Sequence, residues 1–432
     1  MSMHVLSPVD AIKGMLQAAE RNSDYRLTGC INLVASQNRI SNTTLAFLSS
    51  SFAAKFASGE LGSRAHGGAQ WLDAMEEIVT SLAGRLFEPY FPEFRPMSGS
   101  IANETLLMGF AKPGDKIIAP SGIAGGHASV RPEGFAGFMG LTVLDLPFLD
   151  GGMTVDLDAL QRLAALERPR LIILGTAKIL FPYPVSDIVR IAESVGAQVV
   201  YDAAHVAGLI AGKQFQDPLR DGAIAFSGST QKTFPGPIGG LIVSRDAAIF
   251  ERVRDVTRRR LDNYQNNRVA AMGVVFAEML SFGERLSISI VKTAQALAAA
   301  LTEEGLDVVG KHLGYTQSHM LLLNTTPQGP AAVFRQKMES VGIFTTALDL
   351  WPEGGGDITN TNTSLSTRTG LRIGTNDIAR LGYSQESIRR LASLLADVLL
   401  SRRNDADLRK QVMALAECHP DIADTFKLEN VH

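Results

Sequence analysis

The sequence predicts an α/β protein: a mostly parallel central sheet in a large domain, then a smaller C-terminal α+β domain. Three observations carry this. Short apolar, β-branched runs alternate with helix-like segments from about residue 116 to residue 244, as in parallel strands covered on both faces. Past residue 245 the texture changes to long helical patterns, then to a second mixed region. The chain has 432 residues, of which 45% are hydrophobic and 20% charged. That is an ordinary globular composition, long enough for more than one domain and for a large core without disulfide or metal support.

Residues 1–30 are polar with an amphipathic stretch at Ala11–Ala19, and read as an N-terminal helix and arm. Met75, Ile78, Val79, Leu82 and Leu86 have helical spacing. Lys116–Ala119, Leu141–Leu146 and Arg170–Leu174 are strand-length apolar runs, and Asp187–Val195 is an amphipathic helix. Gln198–Tyr201, Ala223–Phe226 and Gly240–Val243 read as further strands. Helical patterns follow over Ala247–Arg259, Val269–Ser281 and Arg285–Glu304. The second mixed region comprises Leu306–Val309, Met320–Asn324, a helix at Ala331–Val341 and Gly370–Ile373. Gly354–Thr367 is a loop, and a helical tail closes the chain. The expected units are the arm at 1–30, the large domain at 31–280 and the small domain at 281–432.

Lys plus Arg total 41 and Asp plus Glu 44, a net charge of −3. No nucleic-acid or acidic-membrane partner is expected from that balance. Cys30 and Cys418 are the only cysteines, which excludes a disulfide framework and a cysteine-based zinc site. No metal is expected. No apolar run approaches the roughly 18–20 residues of a membrane span, and the N-terminus lacks a signal-peptide pattern. The expectation is a soluble cytoplasmic protein.

Five local features carry chemistry. In Ser227-Gly228-Ser229-Thr230-Gln231-Lys232-Thr233 a strand ends in hydroxyls, and a lysine follows before a Gly/Pro-rich loop. Such a lysine suits an imine with an aldehyde cofactor, while hydroxyls such as Ser229 and nearby N–H groups suit a phosphate. Tyr201-Asp202-Ala203-Ala204-His205 places an acid at the end of a buried-looking strand, where ligands of open α/β sheets sit. Asp202 there suits a protonated pyridine nitrogen, and His205 a position near the cofactor. Ser98-Gly99-Ser100 opens an apolar helix and reads as a phosphate cup. Gly125-Gly126-His127 places an imidazole where it can lie on an aromatic ring. Arg372, in an apolar strand-like run, suits the carboxylate of an amino acid. Each has a plain structural alternative: a loop lysine, a turn-capping Asp, a core histidine, a helix N-cap, a solvated histidine or a salt bridge. Together they supply a coherent set in chain order.

That order resembles the serine hydroxymethyltransferase group of fold-type I, aspartate aminotransferase-like, pyridoxal-phosphate enzymes. The resemblance runs from Asn32-Leu33-Val34-Ala35-Ser36-Gln37-Asn38 to the helices after Arg372. It implies pyridoxal 5'-phosphate as cofactor, with Lys232 as the Schiff base, Asp202 on the pyridine nitrogen and His127 stacked on the ring. Ser98, Gly99 and Ser100 would hold the phosphate, and Arg372 and Ser36 the substrate carboxylate. The group is dimer-based with shared active sites, so a homodimer or tetramer is expected. Tyr264 and Gln265 look similar to the segment that reaches the neighbour's phosphate.

The departures bear on the reaction. The acid that handles the proton in folate-dependent one-carbon transfer is replaced by Ser58, with Glu60 two residues on as a stand-in if the loop shifts. The neighbouring tyrosines become Phe56, Ala65 and His66, the histidine before the lysine is Gln231, and the glycine-rich loop reads Asn263-Tyr264-Gln265-Asn266-Asn267. Tetrahydrofolate use is therefore doubtful. The expectation is an aldolase or transaldolase that cleaves or forms the Cα–Cβ bond of a threonine-like β-hydroxy-α-amino acid through a glycine quinonoid. His66 or His127 would move the hydroxyl proton, and small amino acids and aldehydes would be its substrates. Three alternatives remain at this level: a hydroxymethyltransferase with an atypical folate site, other carbanion chemistry at Cα such as alkyl transfer or transamination, and a non-catalytic member.

Overall fold

The computed structural model describes residues 7–149, 152–351, 368–427 and 429. The loop expected over Gly354–Thr367 lies outside them. At the centre is a seven-stranded sheet of β1 (Phe91–Glu93), β2 (Lys116–Ala119), β3 (Thr142–Asp145), β4 (Leu171–Leu174), β5 (Gln198–Asp202), β6 (Ala225–Ser229) and β7 (Gly240–Ser244). The spatial order is β1-β7-β6-β5-β4-β2-β3. From β6 through β5, β4 and β2 to β3 every pair is parallel, while β7 runs antiparallel to β6 and β1.

Successive side chains of these strands point to opposite faces, and both faces are buried. Ile117, Val200, Ala225 and Ile242 pack with Leu106 and Phe110 of α3 (Gly99–Phe110) and Val253 of α5 (Ala247–Arg260). Ile118, Val199, Phe226 and Leu241 turn the other way, onto Val79 and Ala83 of α2 (Gln70–Phe87) and Val269 and Phe276 of α6 (Asn266–Glu303). Each such side chain contributes roughly 1.5–3 kcal/mol when fully buried. α1 (Pro8–Thr28) and α4 (Val185–Ser194) match the expected N-terminal and amphipathic helices.

Some elements differ from the sequence reading. Phe91–Glu93, given no element in the sequence reading, is a three-residue edge strand; it contains Pro92, and prolines are tolerated at sheet edges. The two helices expected at 269–281 and 285–304 are one helix of 38 residues. Gly283 lies in its interior, where glycine costs about 1 kcal/mol relative to alanine. Its backbone is closely approached: a Cβ built on Gly212 would lie 2.6 Å from the Gly283 carbonyl oxygen.

A four-stranded antiparallel sheet follows, in the order β8-β9-β11-β10, from β8 (Asp307–Val308), β9 (Met320–Asn324), β10 (Thr346–Asp349) and β11 (Thr369–Gly374). Leu321, Leu323 and Ile373 pack on Phe334 of α7 (Ala331–Ser340), Leu391 and Leu395 of α8 (Gln385–Leu399), and Leu408 and Val412 of α9 (Asp405–Glu417). A parallel pairing of Ile31 with Ile343 ties the start of the chain to this region. Arg380 and Glu278, 1% and 2% exposed, pair at 2.8 Å and fasten it to α6. Among the described residues no helix is long and apolar enough to cross a membrane, and no cluster of three His, Cys, Asp or Glu is placed to hold a metal.

Candidate active site

A cavity of about 220 Å³ opens beyond the carboxyl ends of β4, β5 and β6, the position where open α/β sheets bind ligands. It brings together Ser98, Gly99, Ser100, His127, Asp202, His205, Ser229 and Lys232 from four separate stretches of chain.

Lys232 sits on a turn built from side-chain-to-backbone bonds. Thr230 Oγ1 donates to the Pro237 carbonyl at 2.6 Å, and Thr233 Oγ1 donates to the His205 carbonyl at 2.8 Å. Asn38 Nδ2 donates to the Lys232 carbonyl itself at 2.8 Å. The backbone is thus fixed while no hydrogen bond among the described residues engages Nζ. Burial lowers the ammonium to about 8, aided by Arg372 and opposed by Asp202. A substantial neutral fraction at mildly alkaline pH makes this amine a nucleophile toward an aldehyde.

Asp202 ends β5 with both oxygens held: Oδ1 accepts the Ala204 N–H at 2.9 Å, and Oδ2 accepts from Asn103 Nδ2 at 2.8 Å. His127 Nδ1 accepts the Ser129 N–H at 3.2 Å, so the neutral ring carries its proton on Nε2. That tautomer suits a stacking and donating ring.

The N-terminus of α3 forms the anion cradle. Ser98 Oγ caps the Ile101 N–H at 3.1 Å, leaving the Gly99 and Ser100 N–H groups without an intrahelical acceptor. Gly99 is required here, since a Cβ would lie 2.3 Å from Ser229 Oγ. Free amides, an unengaged half-buried lysine and a fixed carboxylate, all on one cavity, fit a phosphate-bearing pyridine aldehyde.

His205 is buried, with Nδ1 3.3 Å from His319 Nε2, and the two rings stack at 5.3 Å. His319 Nε2 also lies 3.1 Å from the Ala35 carbonyl, which can only accept, so His319 carries its proton there. Burial above all holds His205 well below the ordinary histidine value and His319 at about 3, so both are neutral. Arg372 on β11 donates from Nη1 to the Ala177 carbonyl at 2.8 Å, and Ala177 lines the cavity. Its Nε is buried without a partner, and burial lowers the guanidinium to about 10. No carboxylate of the described residues forms an ion pair with it, which leaves the fork free for a carboxylate ligand. Ser36 is half-buried in the turn beside Ala35, against which Gly374 packs too closely for a Cβ.

Ser36 and Arg372 are not among the residues that line the cavity, and His66, Tyr264 and Gln265 lie away from it within one chain. His66 lines a separate surface cavity with Phe56, ring centroids 4.7 Å apart. Tyr264 donates its hydroxyl to Glu76 Oε2 at 2.7 Å and lines another cavity beside Ser58 and Asp262. Gln265 is an exposed cap residue before α6. Glu60, the alternative acid, has its carboxylate bonded by both Arg254 and Arg258. Conversely, Asn103, Thr176 and Ala177 line the main cavity without having been singled out, and Gln231, noted above only as a departure, lines it too. Asn103 was visible only as the next turn of the Ser98–Ser100 helix. Thr176 and Ala177 follow a strand end, as Asp202 does, which was a usable signal. His319 had none, because its role depends on a contact 114 residues away.

Fold and cavity together define a pyridoxal-phosphate-dependent enzyme of fold type I. The family model for serine hydroxymethyltransferase matches residues 10–395. Relatives named serine hydroxymethyltransferase include one from Methanopyrus kandleri, 36% identical over 408 residues, covering 94% of this chain and 93% of the relative. Another, from Korarchaeum cryptofilum, is 36% identical over 433 residues and covers 98% of each chain. The crystal structure of L-threonine transaldolase from Pseudomonas fluorescens in its internal aldimine state superposes with a TM-score of 0.86. It covers 98% of this chain and 95% of that one, at 24% identity, a likeness of fold. The chain belongs to the serine hydroxymethyltransferase family.

Proposed function

We propose that this enzyme is a folate-independent aldolase or transaldolase acting on a threonine-like β-hydroxy-α-amino acid. The observation that carries this reading is the state of the acids. Ser58 stands where the family's acid is expected and donates to Asp262 at 2.8 Å, while Glu60 is held by two arginines. Asp202, already held by two donors, is the one acid among the described residues that line the cavity. Proton handling therefore falls to imidazole.

Pyridoxal phosphate, when bound, supplies an electron sink for the Cα of an amino acid attached to it. Lys232 would hold the cofactor, with Asp202 facing its ring nitrogen, His127 on its face, and Ser98, Gly99 and Ser100 on its phosphate. Arg372, with Ser36, would bind the substrate carboxylate and fix the Cα–Cβ bond. His66 takes the β-hydroxyl proton as that bond breaks and an aldehyde leaves. Cα then takes a proton, giving glycine, or bonds to a second aldehyde.

His66 reaches a cavity in this scheme from a second chain, as would Tyr264 and Gln265. Exposed Phe56 and Trp71, at 46% and 73%, line the cavity of His66 and support a homodimer closing there. The test is aldehyde release from L-threonine and from L-serine, each with and without tetrahydrofolate. Folate-independent acetaldehyde from threonine is expected. Cleavage of serine only with folate would overturn the reading in favour of a hydroxymethyltransferase, the activity named for its relatives.

A further inference from the structure

We infer that Gln231 recognises the β-oxygen of the substrate, an assignment that rests on the reaction proposed above. Gln231 lines the same cavity as Lys232, His127 and Asp202. Its Oε1 is buried with no hydrogen-bond partner. No hydrogen bond among the described residues engages its Nε2 either. Native structures rarely leave a buried amide unpaired, and doing so costs about 1–3 kcal/mol. A ligand hydroxyl that donates to Oε1 removes that cost.

Several neighbouring polar groups are already used. Asp202 is held by Asn103 and Ala204, His127 Nδ1 by Ser129, and the Thr230 and Thr233 hydroxyls by backbone carbonyls. A β-hydroxy-α-amino acid brings three polar groups to the cavity. Its amine belongs at the cofactor site of Lys232 and its carboxylate at Arg372. The oxygen on Cβ is left, and Gln231 has the amide left to meet it. The turn that carries Gln231 is rigid, because Asn38 bonds the carbonyl of the next residue at 2.8 Å. Oε1 can accept from the β-hydroxyl, and the amide N–H can donate to the same oxygen once the Cα–Cβ bond has broken and it is an aldehyde carbonyl. The amide takes no proton itself, so the hydroxyl proton still goes to imidazole. Gln231 is thus a substrate-binding residue that selects for a β-oxygen.

The experiment compares L-threonine with L-2-aminobutyrate, which lacks only that oxygen. Holoenzyme, Gln231→Leu and Gln231→Ala are each mixed rapidly with both amino acids. Affinities are read from the change in cofactor absorbance within the first turnover, and the same absorbance reports that each variant is folded and loaded. The wild type is expected to bind threonine about tenfold more tightly, the worth of one hydrogen bond of about 1.4 kcal/mol. In both variants the two affinities should fall within about threefold of each other, through loss on threonine alone. A preference that survives in both variants, or is missing from the wild type, overturns the assignment. Acetaldehyde release by the wild-type sample reads the reaction separately. Release without a preference overturns Gln231 alone, and no release overturns the reaction and the assignment together.

Discussion

Asn103 Nδ2 donates to Asp202 Oδ2 at 2.8 Å and lies 3.0 Å from Ser129 Oγ, whose own neighbour is His127 Nδ1 at 2.9 Å. One amide on α3 therefore joins the acid expected beneath the pyridine nitrogen to the ring expected above it. Ser227 Oγ donates to the other end of that amide. Replacing Asn103 by Leu keeps the volume and removes the bridge. The dissociation constant for pyridoxal phosphate, measured by equilibrium dialysis, should rise about tenfold, since a hydrogen bond to a charged group contributes roughly 1.5–3 kcal/mol. An unchanged constant would make Asn103 a packing residue only.

Lys232 gives a pH dependence with a definite sign. Burial lowers its value to about 8, so below that pH the amine is charged and does not attack an aldehyde. The rate at which apoenzyme bonds added cofactor, followed by stopped-flow absorbance, should rise about tenfold per pH unit up to that value and level off above it. The same depression means that the unfolded chain holds this proton more tightly. The Lys232 contribution to apoenzyme stability should therefore rise with pH from about 8 to the ordinary lysine value. Lys232→Met should remove both dependences.

His66 and Lys232 lie on different cavities of one chain. If they meet across a two-fold interface, Lys232→Ala and His66→Ala are each inactive alone but complement when mixed. Random pairing makes half the dimers mixed, each with one intact site, so about a quarter of wild-type activity should return. No recovery after unfolding and refolding the mixture would place both residues in sites of the same chain, or His66 in none.

Glu278→Ala should be among the most destabilising single changes outside the cavity. It leaves the Arg380 guanidinium buried at 1% exposure without its carboxylate, a situation that costs about 3–5 kcal/mol. Thr425 Oγ1 also loses its acceptor at 2.6 Å. Urea unfolding of the variant reads this directly, and a loss under about 1 kcal/mol would place the pair in the class of exposed ion pairs.

The elements most legible in the sequence were those with a strong period and an uninterrupted apolar face. Leu171–Leu174 and Met320–Asn324 stand almost where the hydrophobic runs placed them. Local chemistry was legible too, because the Ser98–Ser100 turn and the Lys232 turn are each made by contiguous residues. Phe91–Glu93 is short and contains a proline, and the join within α6 was hidden by Phe282-Gly283, whose glycine reads as a break unless the close approach of Gly212 is known. Asn103, Gln231 and His319 matter through what tertiary packing sets beside them, which no local pattern encodes. The state of Glu60 was likewise decided by Arg254 and Arg258, almost two hundred residues away in sequence.

The uninterrupted run of α6 has a consequence for engineering. At 38 residues it is a rod of about 57 Å, beginning beside the Tyr264–Gln265 segment and ending at the edge of the small sheet. A chimera that exchanges the C-terminal portion with a relative's would naturally be spliced near residue 280, between the two apparent helices. That seam cuts the rod in mid-span and separates Glu278 from Arg380. A junction after Glu304 leaves the rod whole in one parent, and needs only that residue 380 of the transferred portion match Glu278.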